Sequence, residues 1–246
     1  MVTGLELFFS ILIVTAAATV ICTVGFGFGL VAIPGLLLYL EPQQTVVVSN
    51  SLIGIVMAMV LARTWRHLKL RASIGLVIGG MAATPIGVLA LNSASPSALR
   101  ITIAIVIIFL GLFSLSSVQL PFAQRRPAGL IFGFLTSLAV TTIGIGGPMG
   151  AIYAIAQRWN AETVRAMLAL FFLTSDIMAF ALYAGTGLVT WDTLANIGVM
   201  IPGLVIGFGL AAVLVTRINE RIFRHAVVAV IVVAGSVTLI REFTGV

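Results

Sequence analysis

The chain has 246 residues, of which 61% are hydrophobic and only 8% charged, and its mean hydropathy is +1.23. An average globular chain carries about 25% charged residues, so a soluble enzyme is excluded and the solvent for most of this surface is lipid. The net charge of +6, from 13 Lys and Arg against 7 Asp and Glu, does not point to nucleic acid, because the cations sit beside apolar runs, where they act as topology signals. The single cysteine, Cys22, gives no disulfide framework and no thiolate metal site within one chain.

Crossing about 30 Å of hydrocarbon takes about 20 apolar residues. In chain order the apolar runs fall at 5–24, 30–40, 45–62, 73–91, 98–118, 128–143, 148–157, 163–187, 193–215 and 223–240. No basic residues precede the first run, which predicts that it is not a cleaved signal peptide. The runs 30–40 and 148–157 are too short to cross, and each follows a longer run after a glycine cluster. These clusters are Gly25-Phe26-Gly27-Phe28-Gly29 and Gly144-Ile145-Gly146-Gly147-Pro148. Connections such as Glu41-Pro42-Gln43-Gln44 are short, and none holds a separate soluble domain. The fold class expected is therefore an all-α polytopic membrane protein.

The glycine clusters superpose at an offset of 119, with Thr23-Val24-Gly25 over Thr142-Ile143-Gly144. Gln44-Thr45-Val46 falls on Glu162-Thr163-Val164 at 118, and the small-residue ladder Gly79, Ala83, Gly87 falls on Gly203, Gly207, Ala211 at 124. This register predicts two homologous halves, 1–120 and 121–246, as in transporter folds built by duplication. For the ladder, simple helix packing is the expected use.

Charge counting sets the topology. With four full crossings per half, 7 cations lie on one face and 6 on the other, which is no bias. If instead 5–40 and 128–157 each enter the membrane, break at their glycines and leave by the same face, the count becomes 11 against 2. The larger group then contains Arg63, Arg66, Lys69, Arg71, Arg125, Arg126, Arg158, Arg165, Arg217, Arg221 and Arg224. The positive-inside rule prefers the second arrangement. It makes each half one glycine-broken element plus three transmembrane helices, inverts the second half, and puts both termini on the non-cytoplasmic side.

Backbone that leaves helical geometry inside a bilayer exposes peptide groups, a cost of several kcal/mol each unless they are satisfied, so breaks survive where they line a site. A helix restarting after the break points its free N–H groups and about half a positive charge back toward it. Two inverted copies aim two such ends at the midplane, an arrangement suited to a small anion. The expected substrate-binding residues are Gly25, Phe26, Gly27, Phe28, Gly29, Gly144, Ile145, Gly146 and Gly147, joined by the polar run Ser49, Asn50, Ser51 and by Arg165. Each polar candidate has a structural alternative: an interhelical clamp for the run, and an interfacial cation for Arg165. Asp176, in the middle of 163–187, is the expected coupling group, with hydrogen bonds from Thr174 or Ser175, or pairing with a cation, as the structural alternatives. No metal site or cofactor is expected, and no motif for ATP hydrolysis or proteolysis is present, so the chain is not expected to be an enzyme.

Together these features resemble the sulfite exporter TauE/SafE family, also called the toluene sulfonate uptake permease family. The resemblance spans nearly the whole chain and is carried by Gly25-Phe26-Gly27-Phe28-Gly29 with Pro34, Ser49-Asn50-Ser51, Gly144-Ile145-Gly146-Gly147-Pro148 and Val164-Arg165-Ala166. It implies movement of sulfite, sulfonates or related small oxyanions across the bacterial cytoplasmic membrane. Asp176 has no acidic counterpart near Met57 to Met59, so the halves are expected to divide the work. The function expected is a proton-coupled secondary anion transporter, with small anions, protons and the lipid bilayer as partners and with homo-oligomerisation left open. An anion channel and a non-transporting membrane scaffold are the alternatives.

Overall fold

The structure, a computed structural model, describes residues 2–113 and 127–214, and among these every regular element is helical. In chain order the helices are α1 (Gly4–Val24), α2 (Phe28–Leu36), α3 (Pro42–Thr64), α4 (Leu70–Ser93), α5 (Pro96–Phe113), α6 (Ala128–Ile143), α7 (Gly147–Ala156), α8 (Ala161–Gly185) and α9 (Trp191–Leu214). Five described stretches are long and apolar enough to cross a membrane: Gly4–Val24, Pro42–His67, Leu70–Ser93, Ala161–Gly185 and Trp191–Val213. The run expected at 223–240, and Arg125, Arg126, Arg217, Arg221, Arg224 and Arg241, lie outside the described residues.

Helix α1 stops at Gly25 and α6 at Gly144, with φ of +93° and +74°. At this left-handed cap position a side chain is strained and glycine is not. The cap amides close the turns, the Gly25 N–H donating to the Ile21 carbonyl at 2.7 Å and the Gly144 N–H to the Val140 carbonyl at 2.8 Å. After each cap two further residues are non-helical before the chain coils again. It then doubles back. Gly27 faces Val20 and Gly35 faces Ile13, so α2 runs antiparallel along α1. Gly146 abuts the Thr136 carbonyl and Tyr153 stacks on Phe132 at 5.8 Å, so α7 runs antiparallel along α6.

Small residues set the remaining helix pairs. Along α4, Gly75 packs on Gly129 and Leu130, Gly79 on Leu130 and Phe134, and Gly87 on Leu138 and Thr141. The numbers rise together, so α4 and α6 are parallel, and the lack of side chains lets their backbones approach closely. Helices α1 and α9 pair in the same sense, with Gly203 against Ile11 and Gly207 against Thr15. The ladder of small residues is thus spent on packing, the use expected of it. Threonines fasten both seams: the Thr19 hydroxyl donates to the Gly207 carbonyl and the Thr142 hydroxyl to the Gly87 carbonyl, each at 3.3 Å. Between α3 and α8 the order reverses. Asn50 meets Tyr183 and Gly54 meets Asp176, so these two helices are antiparallel.

Candidate functional site

The two glycine breaks touch. A Cβ added to Gly29 would overlap the Gly144 carbonyl oxygen, and one added to Gly147 would lie 3.0 Å from the Gly27 amide nitrogen and 3.1 Å from Phe26 Cβ. Between them lies a cavity lined by Gly27, Phe28, Gly29, Leu30, Gly144, Ile145, Gly146 and Gly147, and walled by Ile21, Ile53, Val140 and Phe172. The N-terminal turns of α2 and α7 therefore open onto one space. No side chain caps the start of α2, which leaves its first N–H groups to whatever occupies the cavity. The free interior is small, about 10 Å³, room for roughly one water.

The polar residues expected at the site are distributed around it. Gly25 and Phe26 sit at the first break but do not line the cavity. Asn50 is 1% exposed, and its amide nitrogen donates to the Val140 carbonyl and to the Tyr183 hydroxyl, both at 3.0 Å. It clamps α3 to α6 and α8 one residue away from the cavity wall, which is the structural alternative for this run. The Ser51 hydroxyl donates to the Val47 carbonyl of its own helix, and Ser49 is buried with its hydroxyl unpaired.

Arg165 is also engaged locally. One guanidinium nitrogen donates to the Glu162 carboxylate at 2.8 Å and the other to the Thr23 carbonyl at 2.9 Å. The second bond satisfies a carbonyl in the last turn of α1, where a cation meets the negative end of the helix. Its aliphatic stem covers Gly25. The exposed Glu162 partner contributes little to stability.

Asp176 is 3% exposed, and neither carboxylate oxygen has a hydrogen-bond partner. The local alternative for this residue does not hold: the Thr174 hydroxyl donates instead to the Leu170 and Phe171 carbonyls, and the Ser175 hydroxyl is unpaired. The carboxyl group rests on Gly54, where a Cβ would stand 3.3 Å from Asp176 Cβ and 3.9 Å from Oδ2. Asp176 lies one helical turn beyond Phe172 of the cavity wall.

Sequence reading missed the apolar wall and Tyr183. Ile21, Ile53, Val140 and Phe172 carry no signal in a chain this apolar. Tyr183 is a lone polar aromatic whose partners lie 42 and 133 residues away in sequence.

Residues 10–238 match the family model described as Sulfite exporter TauE/SafE. The chain belongs to this family. As a TauE/SafE protein with five apolar spans among its described residues, it is a multi-pass membrane protein of a transporter family. No curated protein and no solved structure matches the chain.

Proposed function

We propose that this TauE/SafE protein is a secondary transporter that moves a small anion, such as sulfite, an organosulfonate or a related oxyanion, across the bacterial cytoplasmic membrane, driven by protons. The observation that carries the reading is the shared cavity onto which the first turns of α2 and α7 both open. Two helix N-termini facing one space supply peptide N–H donors and positive partial charge without any ionised side chain. Such a site binds an anion yet releases it more readily than a buried cation would.

Three features support two inverted halves, 1–120 and 121–246, with α1–α2 and α6–α7 as re-entrant hairpins. The packing is paired: α1 on α9 answers α6 on α4, and α3 on α9 answers α8 on α4. The equivalent helices α3 and α8 run antiparallel. If α4 and α5 both cross between them, that direction is consistent with α6–α7 leaving by the face it entered. The charge asymmetry then puts both termini on the non-cytoplasmic side. In this reading Gly27 to Gly29 and Gly144 to Gly147 hold the anion, Gly25 and Phe26 shape the first break, and the run Ser49, Asn50, Ser51 stands behind the wall, where Asn50 braces Val140. Arg165 adds positive field at the first break, and Asp176 carries the coupling proton.

A ligand that binds the folded state raises its apparent stability, by about 2.7 kcal/mol at a hundredfold excess over Kd. In a thermal-shift panel on the purified protein, sulfite or sulfonates are expected to raise the melting temperature, while simple cations leave it unchanged. No shift with any oxyanion, or equal shifts with cations, would count against an anion site. Flux indifferent to a pH gradient would favour the channel reading instead.

A further inference from the structure

The carbonyls at the end of α6 are held by an unusual set of partners. The Val140 carbonyl accepts from the Gly144 amide and from Asn50 of α3, and the Thr141 carbonyl accepts from the Tyr183 hydroxyl of α8 at 2.7 Å. The Tyr183 hydroxyl also accepts from Asn50, so the phenol is saturated and fully buried. Asn50 of α3 and Tyr183 of α8 thus join the Gly144 cap amide in fixing the last turn of α6, which includes Val140 of the cavity wall.

Tyr183 stands seven residues after Asp176. At 100° per residue this is two turns, which returns it to the same stripe of α8, about 10 Å along the axis. That stripe is the seam with α3, where Asn50 meets Tyr183 and Gly54, one turn further along α3, meets Asp176. Around Asp176, α3 presents Gly54 and α4 presents Gly80 beside Ser175. Among the described residues, no side chain on these elements hydrogen-bonds to the Asp176 carboxyl group.

We infer that Tyr183, with Asn50, is a positioning residue that transmits the state of Asp176 to the second glycine break. This rests on reading Asp176 as the coupling group. A carboxyl group in a dry seam changes its demand for donors when it gains or loses a proton. With glycine opposite, it has no cushioning side chain, and α8 moves as a rod. A shift of α8 pulls on the Thr141 carbonyl and on Asn50, and so re-aims the residues from Gly144 to Gly147. A hydrogen-bonded seam with two discrete arrangements is the kind of element that carries such coupling.

The test uses hydrogen exchange at the amides of Val140 to Gly150 in the full chain in nanodiscs. It compares acidic with alkaline buffer, after correction for the intrinsic pH dependence of exchange. In the natural protein protection at the break should change by about tenfold or more between the two conditions. Asp176→Asn should abolish that change. Tyr183→Phe and Asn50→Ala should abolish it as well, while leaving the protection of α1 and α9 as in the natural protein. A pH response in Tyr183→Phe and Asn50→Ala that matches the natural protein, with Asp176→Asn unresponsive, would overturn the link and leave the role of Asp176 standing. A response that persists in Asp176→Asn, or is missing from the natural protein, would remove the role of Asp176 and the link with it. Loss of protection throughout the chain in both linker variants would make the contact merely structural and overturn the proposal.

Discussion

Replacing Gly29 with alanine is expected to weaken anion binding by about tenfold or more. The added methyl group would overlap the Gly144 carbonyl oxygen, which is backbone and has no rotamer by which to yield. The two breaks must separate to accept it. Overpacking of this kind costs about 1–3 kcal/mol, and every 1.4 kcal/mol withdrawn from binding is about tenfold in affinity. Gly144→Ala should act similarly through two terms. Its φ of +74° is unfavourable for a side chain, and the new methyl would run into Ile33. Gly209→Ala is the control, since nothing lies within 4 Å of a Cβ there. Sulfite-dependent thermal stabilisation in the three variants measures the effect. If Gly29→Ala and Gly144→Ala keep the shift that Gly209→Ala keeps, the breaks do not form the site.

Asp176→Asn is expected to uncouple transport from the proton gradient while leaving the protein folded. Asparagine keeps the shape of the buried carboxyl beside Gly54 but can carry no proton through a cycle. Each proton moved down a gradient of one pH unit supplies about 1.4 kcal/mol, enough for about tenfold accumulation. In proteoliposomes the natural protein should sustain such a ratio for its anion, and the variant should bring it to about one while still allowing downhill exchange. Unchanged accumulation by the variant would take Asp176 out of the mechanism.

Much of the architecture was legible because lipid imposes strong rules on sequence. The apolar runs at 5–24, 45–62, 73–91, 163–187 and 193–215 correspond to α1, α3, α4, α8 and α9, since a helix in lipid must be long and apolar whatever it packs against. The helix ends at Gly25 and Gly144 were equally plain, because the left-handed cap selects glycine. What the residues contact was not legible. Arg165 reads as an anion ligand or an interfacial cation, and it turns out to donate to the Thr23 carbonyl, a partner 142 residues away. Asn50 reads as a ligand or a clamp, and only the fold decides that its amide meets Val140 and Tyr183. The cavity wall was invisible for a different reason. In a soluble protein an inward-facing Phe172 or Ile53 stands out against polar neighbours, whereas here lipid-facing and cavity-facing positions draw on the same apolar residues.

The most direct test is to locate the bound anion. Crystals grown with selenite, a heavier stand-in for sulfite, would show it by anomalous scattering. The expected peak lies between the first turns of α2 and α7, within hydrogen-bonding distance of amides in Phe28 to Leu30 and of the Gly147 amide, in a cavity wider than the one described here. A peak elsewhere in the bundle, with the space between Gly29 and Gly144 still closed, would contradict the account.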